Sequence, residues 1–311
     1  LLVLPANVVF GQRQKFQING AARAYYFANR LEIDDDQDSI TTRKANNGQT
    51  LLDLGFSLNP NAKTEVLGRF RIRNELGGFW GGGVSFNVRQ LTLKGVAGNA
   101  VRYELGDIDL EMTPYTLYNW QEEGVINEGD VFGLRRDVVY YDMFYNGNQW
   151  RMQGGKANFG LEFARGIQGI DFEGFLTRQR PADGLTLAER IYGGGTITIR
   201  QSKNASLAFN SVNMLDLPGT VPDSIQYKNN VQSLTLTLGR DVNEDFRAGL
   251  QAEAGMSNER YINFQDSRAP EQLEEWFMDA ALTGALEKKG IEVALGYKDI
   301  GADFRSPGAQ T

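Results

Sequence analysis

The chain has 311 residues, a formal charge of −7, no cysteine and no histidine. The acidic balance, with no basic stripe carrying interleaved aromatics, excludes nucleic acid as a partner. Without cysteine there are neither disulfides nor thiolate metal sites. Without histidine there is no Ser-His or Cys-His nucleophile and no imidazole-bound metal.

The first stretch, "LLVLPANVVFGQ", reads as the end of a secretory signal peptide, an apolar run followed by small or permissive residues. That reading takes residues 1–11 as a signal remnant of a chain truncated at its start, and 12–311 as one domain. The other reading of the same residues is an apolar strand. No later stretch reaches the ~18 apolar residues that a spanning helix needs. Barrel strands stay open as a possibility, because they alternate and never read as apolar runs.

Alternation of apolar and polar residues predicts strands at 14–30, 50–58, 64–76, 84–96, 100–113, 149–164, 169–180, 191–201, 205–215, 231–240, 246–258, 276–287 and 291–300. Short connections rich in Gly, Asn, Asp or Pro ("NPNAK", "AGN", "RGIQG", "SKN", "DVNED", "EKKG") take turns with longer ones at 31–49, 114–148, 181–190, 216–230 and 259–275. "GGFWGGG" at 77–83 is a tight glycine hairpin in a long-connection slot. Sorting short turns to one end and long loops to the other is how transmembrane barrels are built, and a Greek-key sandwich does not do it.

In 64–76, Val66, Phe70 and Ile72 face one way and Arg69, Arg71 and Arg73 the other. In 231–240 the opposed sets are Leu234, Leu236 and Leu238 against Ser233, Thr235 and Thr237. Comparable sets recur in 246–256, 278–287 and 291–298. Two strands break parity. Val84, Phe86 and Val88 give way to Leu91 and Leu93, and Val101, Tyr103 and Leu105 to Ile108, Leu110 and Met112 across Gly106. A one-residue bulge in each keeps the later apolar residues on the same outward face.

Alternation alone does not say which face is wet; the aromatics do. Tyr25, Tyr26, Trp80, Trp120, Trp150 and Trp276 fall near the long-loop ends of strands, and a second set near the short turns. Two such belts suit the interfaces of a bilayer. The apolar faces are then read as touching lipid.

With these patterns the chain resembles bacterial outer-membrane β-barrel proteins, and "RYELGDIDLEMTPYTLYN" (102–119) is similar to segments of porin-like Bacteroidota barrels. The resemblance implies an all-β, antiparallel up-and-down transmembrane β-barrel of about 14 or more strands in the cell outer membrane. It also implies a secretory signal, assembly by the barrel-insertion machinery and passage of small solutes. Thirteen strands and the ending "FRSPGAQT" depart from an even-numbered barrel closed by an aromatic-ended strand. A chain incomplete at its C-terminus accounts for both, as does a miscounted strand.

The candidate pore-lining residues are Arg69, Arg71, Arg73 and Arg89, with Glu104, Asp107, Asp109 and Glu111 one strand further on. Opposed charge rows set ion selectivity; the other reading is that they pair and neutralise a plugged lumen. "EIDDDQDS" (32–39) lacks the glycine and final glutamate of an EF-hand, so a solvated acidic loop is expected there. Paired carboxylates on the 100–113 strand invite a glycosidase reading, but nothing separates their pKa values. "YGGGT" (192–196) lacks the ending of a phosphate loop.

No enzyme activity, metal or cofactor is expected. The expected partners are outer-membrane lipid, lipopolysaccharide and small solutes, with a protein partner for the apolar, aromatic loop 114–148. The expected function is a porin-like channel, or alternatively a non-conducting docking barrel whose long loops plug the lumen.

Overall fold

The computed structural model describes residues 15–31, 43–76, 83–118, 133, 150–220, 226–243, 245–262 and 272–309. The signal-like stretch, the acidic run 32–39, Trp80 and Trp120 lie outside them. Thirteen strands occur among the described residues, and contacts cluster into two units, residues 1–96 and 97–311.

The first unit is an antiparallel meander of β1 (Phe16–Leu31), β2 (Arg43–Asn61), β3 (Thr64–Leu76) and β4 (Val84–Ala97), each paired with the next. The second is a meander of β5 (Val101–Leu110), β6 (Trp150–Glu162), β7 (Gly169–Arg180), β8 (Arg190–Ser202), β9 (Ala205–Asp216), β10 (Gln226–Asp241), β11 (Phe246–Ile262), β12 (Gln272–Leu286) and β13 (Ile291–Ile300). The architecture is all-β, antiparallel and up-and-down, as the alternation predicts. Short connections include Gly98 and Gly290, whose φ values of 61° and 62° suit glycine. No described helix is long and apolar enough to cross a membrane, which says nothing about strands.

Burial runs opposite to that of a water-soluble protein. On β10, Leu234 is 52% exposed while the adjacent Ser233 is 2% exposed. Leu176, Leu207, Phe209, Met256 and Leu282 are likewise exposed, whereas Asn210, Asn229, Glu253 and Ser257 are buried. A water-facing exterior of this composition would leave a large apolar patch bare. A lipid-facing exterior turns the same surface into the favourable one.

The expected bulge in β4 is present. Phe70 pairs with Val88 and Arg69 with Gln90, which leaves Arg89 as the extra residue. Phe86, Val88 and Leu91 all remain exposed as a result. On that face Phe70 stacks between Phe56 and Phe86, with centroids 5.3 Å apart on each side.

The second parity break is resolved differently from the expectation. The β5–β6 register runs from Arg102↔Asn158 to Leu110↔Trp150 without a shift, although Gly106 has φ 99°. Ile108 and Leu110 therefore turn to the buried face rather than toward lipid. They join Leu117, Met152, Phe175, Tyr192, Val212, Met214 and Tyr227 in an internal core, with Met112 packed against it. The pattern reverses because the chain after β5 folds back and supplies an apolar partner, Leu117, on the inner side.

Candidate functional site

In the first unit the polar face centres on Asp53 of β2. Asp53 is in register with Arg71, which donates Nε–H to Oδ1 at 2.6 Å and Nη2–H to Oδ2 at 2.7 Å. Arg23 reaches the same carboxylate at 3.6 Å and Arg89 at 3.7 Å. The β4 bulge is what leaves Arg89 as the extra residue between Val88 and Gln90. All four side chains are largely withdrawn from solvent. Arg73 is more open and pairs with Glu75 at 3.1 Å. Arg69 shares the parity of Arg71. Two of the four sequence-predicted arginines, Arg71 and Arg89, are thus brought together, and Asp53 is the residue that the sequence reading had not singled out.

The acidic row does not lie on one face. Glu104, on the buried parity of β5, pairs with Lys156 at 3.5 Å, and Lys156 also donates to the carbonyl of Asp109 at 2.9 Å. Asp107 and Asp109 take the opposite parity with Leu105, and Asp109 meets Arg151 at 3.8 Å. Glu111 follows the end of β5 and is exposed. The uninterrupted register with β6 is the cause.

Within the second unit two segments lie on the inner face. Residues 111–118 follow β5 and residues 301–309 follow β13. They meet where Tyr118 N–H donates to the Gly308 carbonyl at 2.9 Å, and Tyr118 bridges Ala309 in parallel. Tyr115 is 2% exposed and Leu117 0%. The Tyr115 ring stacks on Phe277 at 4.1 Å, and its hydroxyl donates to Asp279. Burial, reinforced by the Asp279 hydrogen bond, pushes the Tyr115 phenol up, so it stays a neutral donor through neutral pH.

A chain of hydrogen bonds runs from the strands to the first segment. Thr196 donates to the Asn210 amide oxygen at 2.9 Å, and the Asn210 amide donates to Ser233 at 3.1 Å and Thr235 at 3.0 Å. Ser233 and Thr113 then donate to the same Glu253 oxygen, at 2.7 and 2.6 Å. The second segment is fixed by Arg305 N–H to the Ser257 hydroxyl at 3.0 Å and by the Asn229 amide to the Arg305 carbonyl at 3.0 Å. Gly308 has no room for a side chain, because a Cβ would overlap the Tyr192 hydroxyl.

With this geometry in place, comparison with solved structures finds a likeness of fold. The chain is similar to a loop-deletion mutant of OmpT, an outer membrane protein of Vibrio cholerae. Identity is 13%, the alignment covers 94% of this chain and 96% of that one, and the TM-score is 0.34. No family model matches the chain, and no curated protein matches it by sequence.

Among the expected interface aromatics, Tyr26 and Trp276 stand exposed on the apolar face. Tyr25 takes the opposite parity and is half-buried. The side chain of Trp150 lies outside the described residues, as does most of loop 114–148. No group of three or more acidic side chains among the described residues is placed to hold a metal ion. Sequence reasoning missed Asp53, Glu253 and Asp279 as anchors. Their shared signal is an acidic residue on the polar parity of a strand, flanked on both sides by apolar residues (Leu, Ala or Met).

Proposed function

We propose that the chain is a porin-like outer-membrane barrel protein that passes small polar solutes along its polar inner face. The reversed burial of Leu234 and Ser233, repeated along β7–β12, carries this reading. It supports a place in the cell outer membrane with lipid and lipopolysaccharide against the apolar face. Segments 111–118 and 301–309 narrow the solute path on the inner face of the second unit.

A second reading, a non-conducting barrel that serves in structure or docking, is favoured by the burial of Tyr115 and Leu117 on the inner face. Refolding the full chain into planar bilayers separates the two. Ohmic steps that grow when Tyr115 and Leu117 are both changed to Ala support the channel. Silence from a folded, heat-modifiable protein, with and without those changes, moves the reading to the plugged barrel.

A further inference from the structure

The seated segments leave part of the inner face open. Toward the short connections it forms a cavity of about 490 Å³, lined by Lys203, Thr237, Arg247, Gln251, Thr283 and Glu292. That volume is within the usual range of small-molecule sites. The floor between the polar groups is cut back to small residues, Gly249, Ala281 and Ala285.

Register fixes how the charges are laid out. Arg247 pairs with Ala285, and Ala285 pairs with Glu292, so a cation and an anion stand in one row with an alanine between them. Two strand spacings separate their backbones, roughly 10 Å. Two rows higher on the same face, Thr237 pairs with Gln251 and Gln251 with Ala281, and Gly249 pairs with Thr283 in the row between. Arg247 makes one loose ion pair, 3.7 Å to Asp241, and is more than half exposed. Among the described residues Lys203 and Glu292 make no ion pair or side-chain hydrogen bond. Thr283 donates its hydroxyl to the Gly249 carbonyl of the floor at 3.4 Å and can still accept a hydrogen bond. The other polar groups of the basin are not spent on one another and are available to a ligand.

We propose that this basin holds a small zwitterion, an amino acid or dipeptide. Its carboxylate faces Arg247 and Lys203, its ammonium faces Glu292, and its amide meets Gln251, Thr237 and Thr283. A simple anion would be opposed by Glu292 and a simple cation by the two basic groups. A neutral sugar would make no use of either charge. This rests on the reading of the inner face as solute-facing.

The test is binding, which does not depend on conduction. Labelled dialanine is dialysed to equilibrium against the refolded full chain in detergent, with dialanine, N-acetyl-dialanine, dialanine amide and a neutral disaccharide as competitors. Dialanine is expected to compete about tenfold better than either blocked form, the effect of losing one charge-assisted hydrogen bond. Arg247→Gln is expected to equalise dialanine and its amide, and Glu292→Gln to equalise dialanine and its N-acetyl form. Arg247→Lys should retain the preference. Both residues are exposed, and heat-modifiable mobility verifies that each variant folds. Equal competition by all four compounds, absence of saturable dialanine binding, or indifference to both Gln variants overturns the proposal. A barrel that conducts without binding dialanine overturns this inference alone; one that binds without conducting overturns the channel reading alone.

Discussion

The Tyr115 hydroxyl donates to the carboxylate of Asp279, joining the segment after β5 to a strand 164 residues further along the chain. The same ring lies flat on Phe277, two residues from Asp279 on the same strand face. One side chain thus supplies both the apolar and the polar seat of the inward segment. Thr113, two residues earlier, repeats the device on Glu253 of β11.

Tyr115→Phe keeps the stacking and removes the hydrogen bond, leaving Asp279 without its phenolic donor. The expected cost is about 1.5–3 kcal/mol, felt by the segment more than by the strands. Amide exchange reads it directly. The Thr116, Leu117 and Tyr118 amides, which donate to Thr113, Thr113 and Gly308 carbonyls, should exchange roughly tenfold to a hundredfold faster. Protection of the strand amides should not change. Unchanged exchange at all three positions would refute the role given to Tyr115.

The sidedness of the wall predicts opposite outcomes for one substitution made three residues apart on β10. Leu234→Arg places a charge in lipid and should cost about 2–4 kcal/mol near the bilayer midplane. Thr237→Arg places the same charge in the open basin and should cost little. Urea unfolding in phospholipid vesicles gives both values. Equal costs at the two sites would mean that the apolar face does not touch lipid.

The thirteen strands among the described residues, their order within each unit and the division into two faces were legible in the sequence, because period-2 alternation continues wherever one face is apolar. The strand ends were less so. β2 begins at Arg43 and β10 at Gln226, several residues before the alternation does. The extension "RKANNGQ" is polar on both faces, and "QYKNN" carries a single core side chain, Tyr227, so neither shows the apolar alternation that marks a strand. The inner site was the hardest part. The Gly106 parity break has two solutions, a bulge or an apolar patch facing inward, and only the return of Leu117 decides between them. Likewise, Arg71 and Arg89 could be placed on a polar face from the sequence, but their meeting at Asp53 depends on the bulge at Arg89.

Asp53 is the negative centre for Arg71, Arg23 and Arg89, so its charge matters more than its volume. Asp53→Asn preserves shape and leaves the guanidinium groups facing one another. Removing one partner of a buried ion cluster costs about 3–5 kcal/mol. The double variant Asp53→Asn/Arg71→Gln should recover part of that loss, because one of the stranded charges goes with it. Urea midpoints of the wild type, the single and the double variant in vesicles test the order. A double variant less stable than the single would contradict the cluster.

The connection between β7 and β8 carries a carboxylate whose titration has a definite sign. Asp183 Oδ1 accepts the backbone amides of Leu185, Thr186 and Leu187, each at 2.8 Å, and Oδ2 accepts the Thr186 hydroxyl at 2.7 Å. These donors, the Leu187 amide foremost, hold its carboxyl well below the usual carboxylate range. A depressed folded-state value means that the ordering Asp183 provides is complete above the unfolded value of about 3.9. It is lost as pH falls through the folded value. The three amides should therefore keep constant protection, after correction for intrinsic exchange, from neutral pH down to about pH 4. Their protection should fall only at more acidic pH. Asp183→Asn, which lacks the charge, should lower protection at neutral pH and flatten the pH dependence. Protection that already declines between pH 7 and pH 5, or that persists unchanged in the Asn variant, would show that another group orders this loop.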